Sequence, residues 1–583
     1  MATRRLNGKN IRHRTLMSDK FYSMLLSGTL TMMVVSVLLM SDSVIAGAMI
    51  GSDAVAGITL VTPLYSLAAF FASIFSLGVP IIYSTEMGKF NKSKADQAFG
   101  FGLLMSIAVG VSLFLLATFF GDMYLRSSAP PESVLNEARG YLFWMRFTIL
   151  VIPPAMLIDS MVYSDGDENL STVANIVQGV GNIIASVLLA RIMGIRGIGL
   201  ASFLFNAISM VILFTHLLKK SNSLRLNLYF SRNLVKEVVR YSIIDASTYL
   251  FLSILVAVLN AFVSVRFGAQ YLLLVSVVTL CRELQMIFDG IGEAITPILS
   301  VYLGESSGEG IKSICRRAYK VAITEGIVVM LALIVCAPWI PRLLDITDPV
   351  MLGHAVTGVR ILSLGSVFVS LLYLLTSYYN VIEKIMLGLL VGLFRDMLLG
   401  VLLAVGLGAA FGQNGMFAGL AAASAAAYAL LLLYLTGRFG RENTPLLLST
   451  LSLNDKNFMF DLTIEPDRII GLQQKVEALL TEKGIAPKTT GRVALLIEEL
   501  YMLIFEKNAD KEVLSECTVI LRPEGVQIIE KDNGVLFDIS EEDAAITSFS
   551  SYVVSLYMVE LGSSKRHLTT MSFNRTSFIV GVD

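Results

Sequence analysis

The sequence predicts an all-α polytopic membrane protein: twelve transmembrane helices in two parallel six-helix repeats, followed by a C-terminal α+β two-layer sandwich. Three observations carry this. Only 16% of the 583 residues are charged while 55% are hydrophobic, and the mean hydropathy is +0.70. A soluble domain keeps about a quarter of its residues charged to cover its surface. Up to about Leu448 the chain alternates short polar loops with apolar stretches long enough to cross a ~30 Å hydrocarbon core as helices. Beyond Asn454 such stretches stop and Asp, Glu and Lys become frequent.

The third observation is an internal repeat. GSDAVAGITL at Gly51 matches GAQYLLLVSV at Gly268, offset by 217 positions. YSTEMGKFN at Gly88 matches SVYLGESSG at Gly304, offset 216, and GIRGIGLAS at Gly194 matches GQNGMFAGL at Gly412, offset 218. Six helices per repeat is an even number, so the halves share one orientation. Parallel repeats are a recurring construction in transporters.

The expected spans are 21–49, 54–82, 97–121, 140–163, 171–192, 197–218, 237–265, 270–300, 315–337, 356–381, 384–410 and 413–437. They divide the chain into an N-terminal segment (1–20), a first half (21–218), a basic linker (219–236), a second half (237–440), a second linker (441–453) and the sandwich domain (454–583). Lys and Arg concentrate before the first span, after the second, in 219–240 and after the eighth, which places both termini in the cytoplasm. No cleavage site follows the first apolar stretch, so it is read as a span and not as a secretory signal. The net charge of −1 carries no signal for nucleic acid, and none is expected as a partner. Cys281, Cys315, Cys336 and Cys517 have no CxxC spacing and the four His no HExxH pattern, so neither disulfides nor a zinc site are expected.

Four segments in order resemble the multidrug and toxic compound extrusion (MATE) transporters. They are SDSVIAGAMIGSDAVAGITLVTP, VYSDGDENLSTVANIV, GNIIASVLLARIMGIRGIGLASFL and SYYNVIEKIMLGLLVGLFRDMLLGVLL, and the resemblance spans about residues 15–440. It departs where the seventh span carries Asp245 in place of the family's Pro. What the resemblance implies is secondary active export of small amphipathic or cationic compounds, coupled to H⁺ or Na⁺, from a bacterial plasma membrane. A lipid-linked substrate flippase and a membrane sensor signalling through the C-terminal domain are the alternatives.

Ionisable groups inside a bilayer are costly and therefore candidate functional sites. Asp42 lies ~33 Å along its helix from Lys20, near the outer end. By resemblance it is the acid that binds the coupling H⁺ or Na⁺; otherwise it is a helix-terminal acid in interfacial water. Asn175, Gln178 and Asn182 fall with Ser171 and Ser186 on one helical stripe, which serves either to complete that ion site or to bond helices together. In the eighth span Arg282, Asp289 and Glu293 are spaced to share a face, as a self-neutralising network or as a second-lobe coupling or substrate site.

The C-terminal segment reads as strand 457–464, helices 466–483 and 488–507, strands 515–522 and 525–531, helix 552–561 and strands 566–574 and 576–582. It resembles the GHKL ATP-binding fold of bacterial anti-sigma-factor kinases. The resemblance makes Glu499 the catalytic acid and Asp532 with Gly534 the adenine-reading turn. At the Mg²⁺-ligand position stands Leu503 instead of Asn, and the Gly-rich lid is missing from SFSSYVVSLYM. The expectation is a pseudoenzyme that binds ATP and Mg²⁺ poorly, regulates transport and has a possible cytoplasmic protein partner.

Overall fold

The computed structural model describes residues 15–127, 132–219, 222–227, 229, 231–268, 271, 273–344, 348–451, 453, 457–537, 550, 554, 567–568 and 573–581. The first half contains α1 (Leu16–Met49), α2 (Ser52–Gly88), α3 (Lys92–Ser127), α4 (Glu132–Ser164), α5 (Glu168–Met193) and α6 (Ile195–Phe214). The second contains α7 (Arg232–Arg266), α8 (Leu273–Leu284), α9 (Asp289–Gly304), α10 (Gly308–Cys336), α11 (Pro349–Ser363), α12 (Ser366–Val381), α13 (Ile385–Gly392) and α14 (Leu399–Phe439).

Among the described residues nine helices are long and apolar enough to cross a membrane, or ten if the pair α11 and α12, bent by 49°, is one span. The segment Ile385–Phe439 counts as one of these, yet Gly412 interrupts it with φ 70° and ψ −154°. Divided there, and with α7 added, the helices accommodate the twelve expected passes. Large apolar side chains point outward, as lipid contact requires: Ile192 is 80% and Phe119 73% exposed.

The repeat is written into the backbone. Among the described residues left-handed φ values recur in pairs: Gly51 and Gly268, Phe90 and Ser306, Gly166 and Glu383, Gly194 and Gly412. The offsets are 217, 216, 217 and 218. Gly194 and Gly412 adopt nearly the same conformation, one that only glycine occupies without strain, and each turns one helix straight into the next.

Two expected helices are subdivided. The eighth span is broken by a 3₁₀ turn at Gln285–Phe288, between α8 and α9. A π-helical turn, Leu393–Leu398, separates α13 from α14. Pro153 and Pro154 sit inside α4, and Pro297 inside α9, without ending either helix. At the end that carries the N-terminus, Lys20 Nζ reaches Glu168 Oε2 at 2.6 Å and ties α1 to α5. Nearby, burial works against the Asp167 carboxylate, but hydrogen bonds from His216 and Lys219 outweigh it and hold that group at about 2.

The halves meet along α1, α2 and α9. A Cβ on Gly28 would lie 3.0 Å from the Gly290 carbonyl oxygen, and one on Gly88 would lie 3.0 Å from the Gly304 Cα. Both contacts, and that of Gly78 with Val238, lie toward the end where α1 begins. That face of the bundle is closed.

The C-terminal domain comprises β1 (Asn457–Thr463), α15 (Pro466–Glu482), α16 (Pro487–Lys507), β2 (Leu514–Arg522), β3 (Gly525–Asp532), β4 (His567–Leu568) and β5 (Asn574–Gly581). All pairings are antiparallel, in the order β1-β2-β3-β5-β4. Ile469, Val476, Ile497, Leu500 and Ile504 of the two helices pack on Cys517, Val519, Val526, Ile528, Phe578 and Val580 of the sheet. The two-layer expectation is met. The strand expected over 566–574 is represented by β4 alone, and the helix expected over 552–561 lies outside the described residues apart from Val554.

Candidate functional site: two intramembrane carboxylates in the first half and a charge cluster in the second

Asp42 sits in the last third of α1. Its Oδ2 accepts hydrogen bonds from Tyr141 Oη of α4 at 2.8 Å and Ser202 Oγ of α6 at 3.0 Å. Asn182 of α5 also bonds the carboxylate, and its Oδ1 lies 3.5 Å from Ser202 Oγ and 3.2 Å from Ser186 Oγ. Asp42 Oδ1 is buried with no hydrogen-bond partner among the described residues. A buried carboxylate oxygen without a donor is costly, and a proton or a small cation removes that cost.

The polar stripe of α5 does not act as one unit. Asn182 joins Asp42, but Asn175 donates from Nδ2 to Asp159 Oδ2 at 3.0 Å, and Ser171 Oγ donates to Asp159 Oδ1 at 2.5 Å. Gln178 turns to Asn206 of α6, with Nε2 2.9 Å from Oδ1. The spacing places these residues on one face. Over four helical turns, however, that face passes α4 at one depth and α1 and α6 at another.

Asp159, on α4, was missed by the sequence reading, although an acid inside the apolar run AMLIDSMVY is itself the signal. So were Tyr141 and Ser202, whose residue types give no such signal. The first half thus holds two carboxylate sites, Asp42 with Tyr141, Ser202 and Asn182, and Asp159 with Ser171 and Asn175.

In the second half the expected shared face of Arg282, Asp289 and Glu293 is interrupted by the 3₁₀ turn between α8 and α9. Arg282 instead pairs with Asp396, Nη1 to Oδ1 at 3.4 Å. Arg395 grips the same carboxylate with two bonds, Nε to Oδ1 at 2.8 Å and Nη2 to Oδ2 at 2.6 Å, and its guanidinium stacks 3.9 Å from the Tyr373 ring centroid. Arg395 and Asp396 lie in the π-helical turn, a feature often found at functional positions. Asp289 acts electrostatically on both Arg395 and Glu293. Glu293 reaches the other half: its Oε2 would lie 3.2 Å from a Cβ on Gly28, and Asp159 is the charge that acts on it most.

In the C-terminal domain Glu499 is half-buried on α16, and Leu503, one turn on, is 1% exposed in the core. Asp532 is fully buried, and its Oδ1 accepts from Gly534 N at 2.6 Å and Asn574 Nδ2 at 2.9 Å. The turn therefore holds itself together through one oxygen of the Asp532 carboxylate.

Against this geometry, the MatE family model matches residues 29–188 and again 246–405, one match per half. The chain belongs to the MatE family. This is a family of transporters, not of enzymes, and the two matched segments carry the same offset of 217 as the repeat. No curated protein matches the chain in sequence. Among solved structures, a MATE crystallised in the straight conformation shares 18% identity, covering 75% of this chain and 97% of its own, with a TM-score of 0.66. An outward-facing multidrug resistance MATE transporter of the MOP superfamily gives 18%, 75%, 96% and 0.66. A MOP superfamily transporter from Pyrococcus furiosus, whose binding pocket has reversed polarity, gives 17%, 75%, 96% and 0.66. These likenesses establish the MATE fold for the helical part.

Proposed function

We propose that this MatE protein is a secondary antiporter. It exports small amphipathic, chiefly cationic, organic compounds from a bacterial cell in exchange for H⁺ or Na⁺. The observation that carries the reading is Asp42: an acid fixed by Tyr141, Ser202 and Asn182, with one buried oxygen left to bind a proton or cation. Asp159 from one half and Glu293 from the other bring two carboxyl groups to the seam, which a cationic substrate would balance. The Lys and Arg bias puts the closed face, with both termini, in the cytoplasm. Domain boundaries follow the six-plus-six division with the sandwich appended.

The sandwich is a regulatory module. Leu503 in place of a Mg²⁺ ligand, and an Asp532 already committed to Gly534 and Asn574, support a non-catalytic role.

The test is efflux of a fluorescent cationic dye from proteoliposomes under separate H⁺ and Na⁺ gradients. Wild type should expel dye under one gradient, and Asp42→Asn should lose that dependence. Wild-type protein that folds but moves no dye under either gradient overturns the reading.

A further inference from the structure

The sheet of the C-terminal domain has two faces. One packs on α15 and α16. On the other, four charged residues stand in register across neighbouring strands: Asp461 of β1 opposite Glu516 of β2, Glu516 opposite Lys531 of β3, and Lys531 opposite Arg575 of β5. In a free two-layer domain this row would face water. Here the side chains of Glu516, Lys531 and Arg575 are all buried, none more than 2% exposed.

What buries them is the closed face of the bundle. Lys531 Nζ bonds Glu305 Oε2 at 2.6 Å and Glu516 Oε1 at 3.0 Å, and Tyr302 Oη donates to Glu516 Oε2 at 2.6 Å. Tyr302 is on α9, and Glu305 follows it in the turn to α10, so these contacts hold the second half. Arg575 holds both halves. Its Nη2 lies 3.0 Å from Glu305 Oε1 and donates to the Gly88 carbonyl at 2.9 Å, while Nη1 donates to the Met87 carbonyl at 2.7 Å. Those carbonyls end α2, where the dipole favours a cation; that of Met87 also accepts from Phe90 N at 3.1 Å. The guanidinium also stacks 3.4 Å from the Phe90 ring centroid.

The two turns so joined are equivalent positions of the repeat: Gly88 with Gly304 and Phe90 with Ser306, each offset by 216. They are also where α2 and α9 cross, backbone against backbone. A contact made to both turns at once persists only while the turns stay together. Burial and the neighbouring Glu305 oppose each other at both cations, with different net results. Burial opposes the Lys531 charge but Glu305 and Glu516 outweigh it and raise the group, whereas for Arg575 burial prevails and lowers it.

We propose that the C-terminal domain is a latch on the closed face: Arg575, with Lys531, ties the α2–α3 turn of the first half to the α9–α10 turn of the second. This rests on the antiporter reading, taken as two halves that part and close in turn, and adds that the face opens only when Arg575 leaves one of them. The latch is regulatory and needs no nucleotide chemistry.

Spin labels at Lys92→Cys and Glu309→Cys, exposed and equivalent positions beside the two turns, report the separation directly in the full chain with Cys336→Ser. The unmodified latch should give one short distance. Arg575→Ala should raise a long-distance population roughly tenfold or more, and Arg575→Lys, which keeps the charge but not the two-carbonyl grip, should fall between. Glu305→Gln changes the bundle side alone and should act in the same direction, so a misfolded sheet does not explain the result. Identical distance distributions in all four proteins overturn the latch, as does an already open face in the unmodified one. The distances are read without any transport. A latch that responds while no dye moves refutes only the exporter reading, and dye flux with unchanged distances in every variant refutes only the latch.

Discussion

The tightest approach of the two halves gives a quantitative prediction. In Gly304→Ala the new Cβ would lie 2.7 Å from the Gly88 Cα and closer still to the Thr85 carbonyl oxygen. Both obstacles are backbone atoms of a helix, which do not rotate away as a side chain does. Overpacking of this kind costs about 1–3 kcal/mol. The cost falls on the closed state alone, because separating α2 from α9 relieves it. The closed population should therefore drop by roughly 5- to 150-fold relative to the open one. Gly437→Ala is the control: nothing lies within 4 Å of its Cβ position, and alanine there removes only a helix-propensity penalty of about 0.5–1 kcal/mol. The assay pairs the distance measurement across the two turns with the initial rate of dye efflux. If Gly304→Ala matches Gly437→Ala in both, the crossing has slack and the reasoning fails.

Three further outcomes follow from the site geometry. Asp396→Asn leaves Arg282 and Arg395 buried without the carboxylate that both bind, a change costing about 3–5 kcal/mol; the melting temperature should fall by several degrees, and Asp396→Glu should recover part of it. An unchanged melting curve would mean that Asp289 balances both arginines alone. Asn182→Ala should weaken ion dependence at Asp42, whereas Asn175→Ala should leave it intact and alter apparent substrate affinity through Asp159; equal effects on both parameters would refute the division into two sites. Calorimetric titration of the full chain with MgATP should show no saturable binding in the micromolar range, and such binding would restore the nucleotide reading of Asp532.

The helical architecture was legible in the sequence because each determinant is local. A span is a run of apolar residues of fixed length, and the chain reports it without knowing its neighbours. The repeat was legible because glycines in left-handed turns leave a mark that survives divergence: Gly51, Gly268, Gly194 and Gly412 all keep positive φ. The α15–β3 layer was readable for the same reason, from periods of 3.6 and 2. Asp42 stood out because an acid in a bilayer is conspicuous by itself.

What the sequence left open was every pairing between residues far apart in the chain. Asn182 belongs to Asp42 while Asn175 belongs to Asp159, although seven residues separate the two asparagines on one stripe. Only the packing of α1, α4 and α6 around α5 decides which acid each one meets. Arg282 was grouped with Asp289 and Glu293 by spacing, yet a 3₁₀ turn after α8 rotates it toward Asp396, more than a hundred positions away. Nothing in the sequence groups Glu516, Lys531 and Arg575: the first two fall in separate expected strands and the third in the gap between two others. They become a buried junction only because the sheet settles on turns at Gly88 and Gly304, which the fold of the two halves brings side by side.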